Sequence, residues 1–258
     1  MYTDVNALLG HWPFRKIRKN SLEDLRRVHR ENGITGGYVA SLNSIFYNDP
    51  FEGDEELHAL IGGTEYKHVL TVNPTLPGWL RDIEDGLSRF DIRGVRIYPT
   101  YHDYDLNSEP VAELCEALER HGLPLFVTKR MEDERLDYLV KPKPLEVASL
   151  GKFLSGQPDL DIIVLNIRFN EIVSLQEVAK RLPRLYFDTC GLKDKVFVLE
   201  ELLNIVPAGK ILYGSQHPLY CLKSSFCIVD MVEIPEETKR GILSENVKLL
   251  SRNGQLQG

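Results

Sequence analysis

Apolar residues along this chain fall into short, nearly continuous runs separated by longer stretches with helical spacing. Eight runs read as strands: Thr3–Leu9, Ile34–Ala40, His68–Val72, Gly94–Tyr98, Pro124–Thr128, Ile162–Ile167, Leu185–Asp188 and Ile211–Gly214. Most do not alternate. Ile162-Ile163-Val164-Leu165 is apolar throughout, the pattern of a strand in a parallel sheet covered on both faces. In the first run Asp4 and Asn6 share one parity and Val5, Ala7 and Leu9 the other, so the two polar residues are expected to point the same way.

The intervening segments read as helices. Ser21 followed by Asp24 marks an N-terminus, with Leu22, Leu25 and Val28 as the apolar stripe. A second clear case starts at Asn107 or Ser108, carries Val111, Leu114, Cys115 and Leu118 on one face, and stops at Gly122. Further helices are expected near Glu55–Ile61, Gly78–Arg89, Pro144–Leu154, Ile172–Arg181, Val196–Ile205 and Glu236–Leu250. Eight alternations of strand and helix in 258 residues predict an α/β chain folded as one (β/α)8 barrel domain, a TIM barrel. The rival, a doubly wound sheet, would place a Gly-rich phosphate turn after an early strand, and the chain contains neither GxGxxG nor GxxxxGK. The segments from Gly10 to Asn20, Ser41 to Gly53, Pro99 to Asn107 and Lys129 to Lys143 are long, as loops that build a barrel's site are.

Composition narrows the function classes. With 43% hydrophobic and 27% charged residues the chain can bury a large core. Its formal net charge is −7, and its main basic cluster is Arg15-Lys16-Ile17-Arg18-Lys19, which argues against an extended nucleic-acid surface. Cys115, Cys190, Cys221 and Cys227 lack CxxC spacing and fit a reducing compartment. No run approaches the length of a membrane span and the N-terminus has no signal pattern, so no membrane partner and a cytoplasmic location are expected.

In a barrel, polar residues at the carboxyl ends of the strands converge on one mouth. Here they are Asn6, Ser41, Asn73, Arg96, Thr128, Lys129, Asn166, Arg168, Asp188, Gln216 and His217. Amides and guanidinium groups donate to oxygen-rich ligands and are poor metal ligands. Arg96, Lys129, Arg130 and Arg168 suit an anionic ligand such as a carboxylate or phosphate; equally, they could pair with Glu132, Asp133, Glu134 and Asp188. Trp12, Phe14, Tyr98, Tyr101 and Tyr104 offer flat faces for a ring, or a plug for the barrel top.

Several segments, in order, resemble one family. Asp4-Val5-Asn6-Ala7-Leu8-Leu9-Gly10, Gly94-Val95-Arg96-Ile97-Tyr98-Pro99, Gly122-Leu123-Pro124-Leu125-Phe126-Val127-Thr128, Ile211-Leu212-Tyr213-Gly214-Ser215-Gln216-His217-Pro218 and Ile242-Leu243-Ser244-Glu245-Asn246-Val247 look like the amidohydrolase superfamily, in its amidohydrolase-2 branch of hydrolases and decarboxylases. The resemblance spans nearly the whole chain and itself implies a (β/α)8 barrel. Members with a divalent metal carry HxH on the first strand, a His ending the fifth, a His ending the sixth and an Asp after the eighth. This chain has Asn6, Leu8, Thr128, Asn166 and Gln216 at those places, so the resemblance implies the fold but not the metal mechanism. No metal and no cofactor are expected. A relocated metal site would draw on His11, His102 and His217 with Asp103, Asp105 or Asp188.

Two functions remain open. One is a hydrolase or lyase acting on a small, carboxylate-bearing molecule, with Lys129, His217 and Asp188 as acid–base groups. Asn6, Arg96, Thr128, Asn166, Arg168, Gln216, Trp12, Tyr98 and His102 would then contact the ligand. The other is a non-catalytic barrel that binds a ligand or partner. In either case a small-molecule ligand is expected, and a homo-oligomer is compatible with the sequence.

Overall fold

The computed structural model describes residues 1–133, 142–193, 195 and 197–251. Among the described residues nine strand segments are all paired in parallel: β1 (Tyr2–Leu9), β2 (Ile34–Ser41), β3 (Tyr66–His68), β4 (Leu70–Thr71), β5 (Val95–Ile97), β6 (Leu125–Thr128), β7 (Ile162–Leu165), β8 (Leu185–Asp188) and β9 (Ile211–Leu212). β3 and β4 are one strand interrupted at Val69, which still donates its N–H to Val39 O at 2.9 Å. The sequence reading merged them from His68 and began two residues late.

The ring closes between β1 and the chain just after β9. Val5 N–H donates to Tyr213 O (2.9 Å), Gln216 N–H to Asn6 O (2.6 Å) and Leu8 N–H to His217 O (2.8 Å), with Ala7 bridged in parallel to His217. Eight parallel strands thus form the TIM barrel that the alternating pattern predicted. Closure leaves no unpaired sheet edge, which is why apolar runs with no polar face are tolerated.

Two apolar layers result. Inside the barrel Val5, Leu8, Tyr38, Val69, Phe126, Ile163 and Tyr186 pack together, while Val95, Ile97, Leu125, Val127, Ile162 and Val164 face the helices. These include α1 (Leu22–Glu31), α2 (Pro50–Ile61), α3 (Trp79–Arg89), α4 (Glu109–His121) and α5 (Val147–Ser155). Ser21 caps α1 by accepting from Asp24 N–H, and Gly122 ends α4 at φ 64°, both as read from the sequence. At α4 the capping position is Ser108, whose hydroxyl makes no cap bond.

Other boundaries differ from expectation. The segment read as one helix over Ile172–Arg181 is α6 (Phe169–Ser174) and α7 (Gln176–Arg181), which meet at Leu175. α8 (Val198–Leu203) lies inside the expected Val196–Ile205, of which residue 196 is outside the described residues. α9 (Leu222–Asp230) was missed because its stripe of Leu222, Phe226 and Val229 is short and follows the His217–Pro218 turn. Glu236–Leu250 is not one α-helix; α10 (Glu236–Arg240) gives way to a π-type turn at Gly241–Glu245 and then a 3-10 turn.

The first strand also departs from simple alternation. A register irregularity between Asp4 and Ala7 breaks the two-residue period, so Val5 and Leu8 face the interior while Ala7 and Leu9 face α1 and α2. Asp4 and Asn6 therefore do not point the same way. Asp4 reaches outward to His29 of α1, at 3.2 Å, and Asn6 reaches inward.

Candidate active site at the barrel mouth

The inward polar groups form one buried network at the carboxyl ends of the strands. Asn6 Nδ2 donates to Asp188 Oδ2 (2.7 Å) and to Gln216 Oε1 (3.3 Å). Arg96 donates from Nη1 to Asn6 Oδ1 and from Nε to Thr128 Oγ1, both at 2.9 Å. Asn166 N–H donates to Asp188 Oδ1 (2.7 Å), and the Cys190 thiol lies 3.4 Å from Gln216 Oε1. Asn6, Arg96, Thr128, Asn166, Asp188 and Gln216 are all fully or almost fully buried. Asn6 and Gln216, 210 residues apart in sequence, thus meet at one end of the barrel.

Local backbone geometry brings them together. Asn166 and Gln216 both adopt left-handed backbone at φ 53°, which turns each chain sharply at the end of its strand. Gly214 lies so close to Asp188 that a Cβ there would meet its Oδ2 at 2.5 Å, so the absence of a side chain lets β8 and β9 deliver Asp188 next to Asn6. Asp4 anchors the seam beside them, accepting from Ser215 N–H (3.0 Å) and Asn6 N–H (2.9 Å).

Charge in the network is unequal. Burial raises the Asp188 carboxyl to about 6, against the opposing pull of bonds from Asn6 and Asn166 and the field of Arg96. The guanidinium lies over the ring of Tyr98 at 5.0 Å and brings a permanent cation within one amide of Asp188. Tyr98 is wholly buried, and its hydroxyl faces that of Thr71.

The chain after β6 covers this network. Asn166 Nδ2 donates to Arg130 O (3.0 Å), Gln216 Nε2 donates to Met131 O, and the Met131 sulfur lies 3.9 Å from Arg96 Nη2. Arg130 grips Glu171 with two bonds, at 2.8 and 2.7 Å, and Lys129 Nζ adds a contact at 3.2 Å. The Glu171 carboxylate also accepts from Arg168 N–H at 2.8 Å. Burial by itself would raise this carboxyl; Arg130, the Arg168 amide and Lys129 hold it at about 2. The sequence reading had offered Glu132, Asp133, Glu134 and Asp188 as partners for the cations. Lys129 and Arg130 both meet Glu171, on α6, which the sequence reading did not name, and Glu134 lies outside the described residues. No spacing rule could have found Glu171, since it meets Arg130 across 41 residues.

The remaining expected site residues lie around the network. Trp12 is buried and donates from Nε1 to Glu132 Oε2 at 2.8 Å, while Arg15 bonds the other oxygen at 2.5 Å. Trp12 also meets Phe14, Phe46 and Tyr101 edge-on at 5.3 to 5.8 Å. His102 is half-buried and bonds Ile45 O through Nε2 at 3.1 Å. His217 Nε2 bonds Lys19 O at 3.1 Å, so that nitrogen carries the proton and Nδ1 keeps the lone pair. Burial, with His29 nearby, pushes the His217 imidazole down to about 4. The His217 backbone N–H donates to Ser215 Oγ at 3.0 Å, which ties it to the seam beside Asp4. Among the described residues no three His, Cys, Asp or Glu side chains converge as a metal-ligand group.

A closed parallel barrel with a buried polar cluster at the carboxyl ends of its strands defines a (β/α)8 scaffold whose polar groups lie where such barrels carry their sites. Residues 67–247 match the amidohydrolase family model, and the chain belongs to that family, in the amidohydrolase-2 branch. No curated protein sequence matches it significantly. Its fold is similar to that of an uncharacterised TIM-barrel protein from Bordetella bronchiseptica (TM-score 0.75, 15% identity, 97% of this chain and 98% of the other). It is also similar to 2,6-dihydroxybenzoate decarboxylase from Rhizobium (0.73, 11%, 98% and 100%). A third similar structure is a probable 2-pyrone-4,6-dicarboxylic acid hydrolase from Acinetobacter baumannii with citric acid bound (0.70, 11%, 96% and 98%). At these identities the likeness is one of fold. No helix among the described residues is long and apolar enough to cross a membrane.

Proposed function

We propose that this protein is a hydrolase or lyase of amidohydrolase descent that acts on a small carboxylate-bearing molecule without the family's metal centre. The observation that carries the reading is Arg96, whose guanidinium bonds both Asn6 and Thr128, two of the positions where metal-dependent members place histidines. The set Asn6, Leu8, Thr128, Asn166 and Gln216 does not fit zinc: the amides and hydroxyl are weak donors, and Leu8 packs in the apolar interior. A fixed cation stands among those positions, suited to a carboxylate or to negative charge developing on a substrate oxygen.

Asp188 supplies the acid–base group. With its carboxyl near 6 it is partly protonated at neutral pH, so it can deliver a proton to a carbon losing carbon dioxide or accept one from an attacking water. Lys129 and the neutral imidazole of His217 are the further acid–base groups at the rim. The similar structures named for decarboxylation of a dihydroxybenzoate and hydrolysis of a pyrone dicarboxylic acid supply the substrate classes to try first.

The test is turnover of hydroxybenzoates and pyrone carboxylates by protein treated with chelator, beside Arg96→Met and Asp188→Asn. Turnover that survives chelation and is lost in both variants supports the proposal. About one divalent ion per chain by elemental analysis, lost on changing Asn6 and Asn166 to Ala, sinks it. A second reading, a ligand-binding barrel without catalysis, is favoured by one feature: the inherited positions already bond each other and the 130–131 carbonyls. Thermal stabilisation by the same molecules with no product formed would select it.

A further inference from the structure

At the opposite end of the barrel lies a cavity of about 730 Å³, bounded by the start of β3, the turn before β5 and the ends of α2, α3 and α4. In a chain of net charge −7 its wall is basic, with Lys67, Arg93, Arg89 and His121. The two carboxylates on that wall are engaged: Glu65 takes two bonds from Arg26, at 2.9 and 2.6 Å, and Asp91 pairs with Arg93 at 2.7 Å. Arg89 is held by Glu55. Lys67 has no carboxylate within ion-pair distance among the described residues. Its Nζ sits 3.3 Å from the Tyr38 hydroxyl and 4.8 Å from that ring's centroid, and burial with the nearby Arg93 lowers its pKa.

His68 also lines this cavity. His68 bonds Asp54 through Nε2 at 2.8 Å, but its Nδ1 is buried with no partner among the described residues. Buried polar atoms are rarely left this way. The His68 ring lies parallel to Phe90 at 5.3 Å, giving the wall a flat apolar face beside the cations.

We propose that this cavity binds a small organic anion, its carboxylate or phosphate held between Lys67 and Arg93 and its apolar body against Leu87, Phe90 and Ile92. Charge-assisted bonds from a lysine and an arginine are the strong recognition elements for such groups. Because catalytic groups of these barrels occupy the carboxyl ends of the strands, this site is separate from the mouth.

Isothermal titration calorimetry with benzoate and with inorganic phosphate tests it, on the unaltered protein, Lys67→Met, Arg93→Gln and Asp188→Asn. The two probes distinguish a carboxylate carried on a ring from a free oxyanion. The expected result is that one probe binds the unaltered protein and Asp188→Asn alike, and that Lys67→Met weakens it about tenfold with the near-UV circular dichroism unchanged. Arg93→Gln should act in the same direction and serves if Lys67→Met does not fold. Binding of neither probe, or affinity unmoved by both basic-site substitutions, overturns the proposal. Loss in Asp188→Asn with Lys67→Met unaffected would place the anion at the mouth and overturn it as well.

Discussion

Replacing Asp188 by Asn tests the electrostatics of the mouth through stability. The Asp188 carboxyl titrates at about 6 in the folded protein against 3.8 as a free side chain, because it is fully buried. Below pH 3.8 the group is protonated in both states and contributes no pH dependence. Above it the unfolded chain gains the solvated carboxylate while the folded one stays protonated until about pH 6, so folding loses stability over that window. At about 1.4 kcal/mol per unit, the loss is about 3 kcal/mol. Asn cannot titrate, so subtracting its unfolding free energy from that of the unaltered protein isolates this group. Urea denaturation of both proteins at intervals from pH 4 to 7 should show the difference shifting toward the variant by about 3 kcal/mol, with most of the change between pH 4 and 6. A flat difference, or one that favours the unaltered protein increasingly as pH rises, would refute the placement of a desolvated carboxylate beside Arg96.

Arg96→Met should cost about 3–5 kcal/mol, because it strands Asp188 without its cation and leaves Asn6 Oδ1 and Thr128 Oγ1 without a donor. Calorimetry should show the melting temperature falling by roughly 10 °C, and a drop under two degrees would contradict the network. Gly214→Ala places a Cβ 2.5 Å from Asp188 Oδ2 and should destabilise by about 1–3 kcal/mol while raising Asp188 further. Glu171→Gln should lose the advantage conferred by a carboxyl held at about 2. That advantage is present above pH 4.5 and disappears as pH falls toward 2, so denaturation curves of the two proteins should converge in acid.

Much of the fold was legible because it rests on local rules. The apolar runs found β6, β7 and β8 nearly to the residue, since a strand covered on both faces leaves no choice about which positions are apolar. The α1 cap at Ser21 and the α4 stop at Gly122 were legible for the same reason, being bonds within a few residues of chain. The site was half legible. Asn6, Arg96, Thr128, Asn166, Asp188 and Gln216 were singled out by strand ends and converge, whereas Glu171, Met131 and Cys190, which hold and cover them, carry no signal in spacing.

What sequence alone determined is therefore the barrel, its family and the residue types at the mouth, because periodicity and strand-end position are properties of the chain itself. Which of those residues share a hydrogen bond was decided only in three dimensions. The register irregularity in β1 sends Asp4 to His29 and Asn6 to Arg96, against the alternation their spacing implies. Asn166 and Gln216 both turn with left-handed backbone at their strand ends, and their side chains bond the Arg130 and Met131 carbonyls. Burial then moves Asp188 toward neutrality, whereas Arg130, the Arg168 amide and Lys129 hold Glu171 far below it. Both residues are carboxylates in the sequence; their opposite behaviour comes from what surrounds each one, a desolvated amide network for Asp188 and two cations for Glu171.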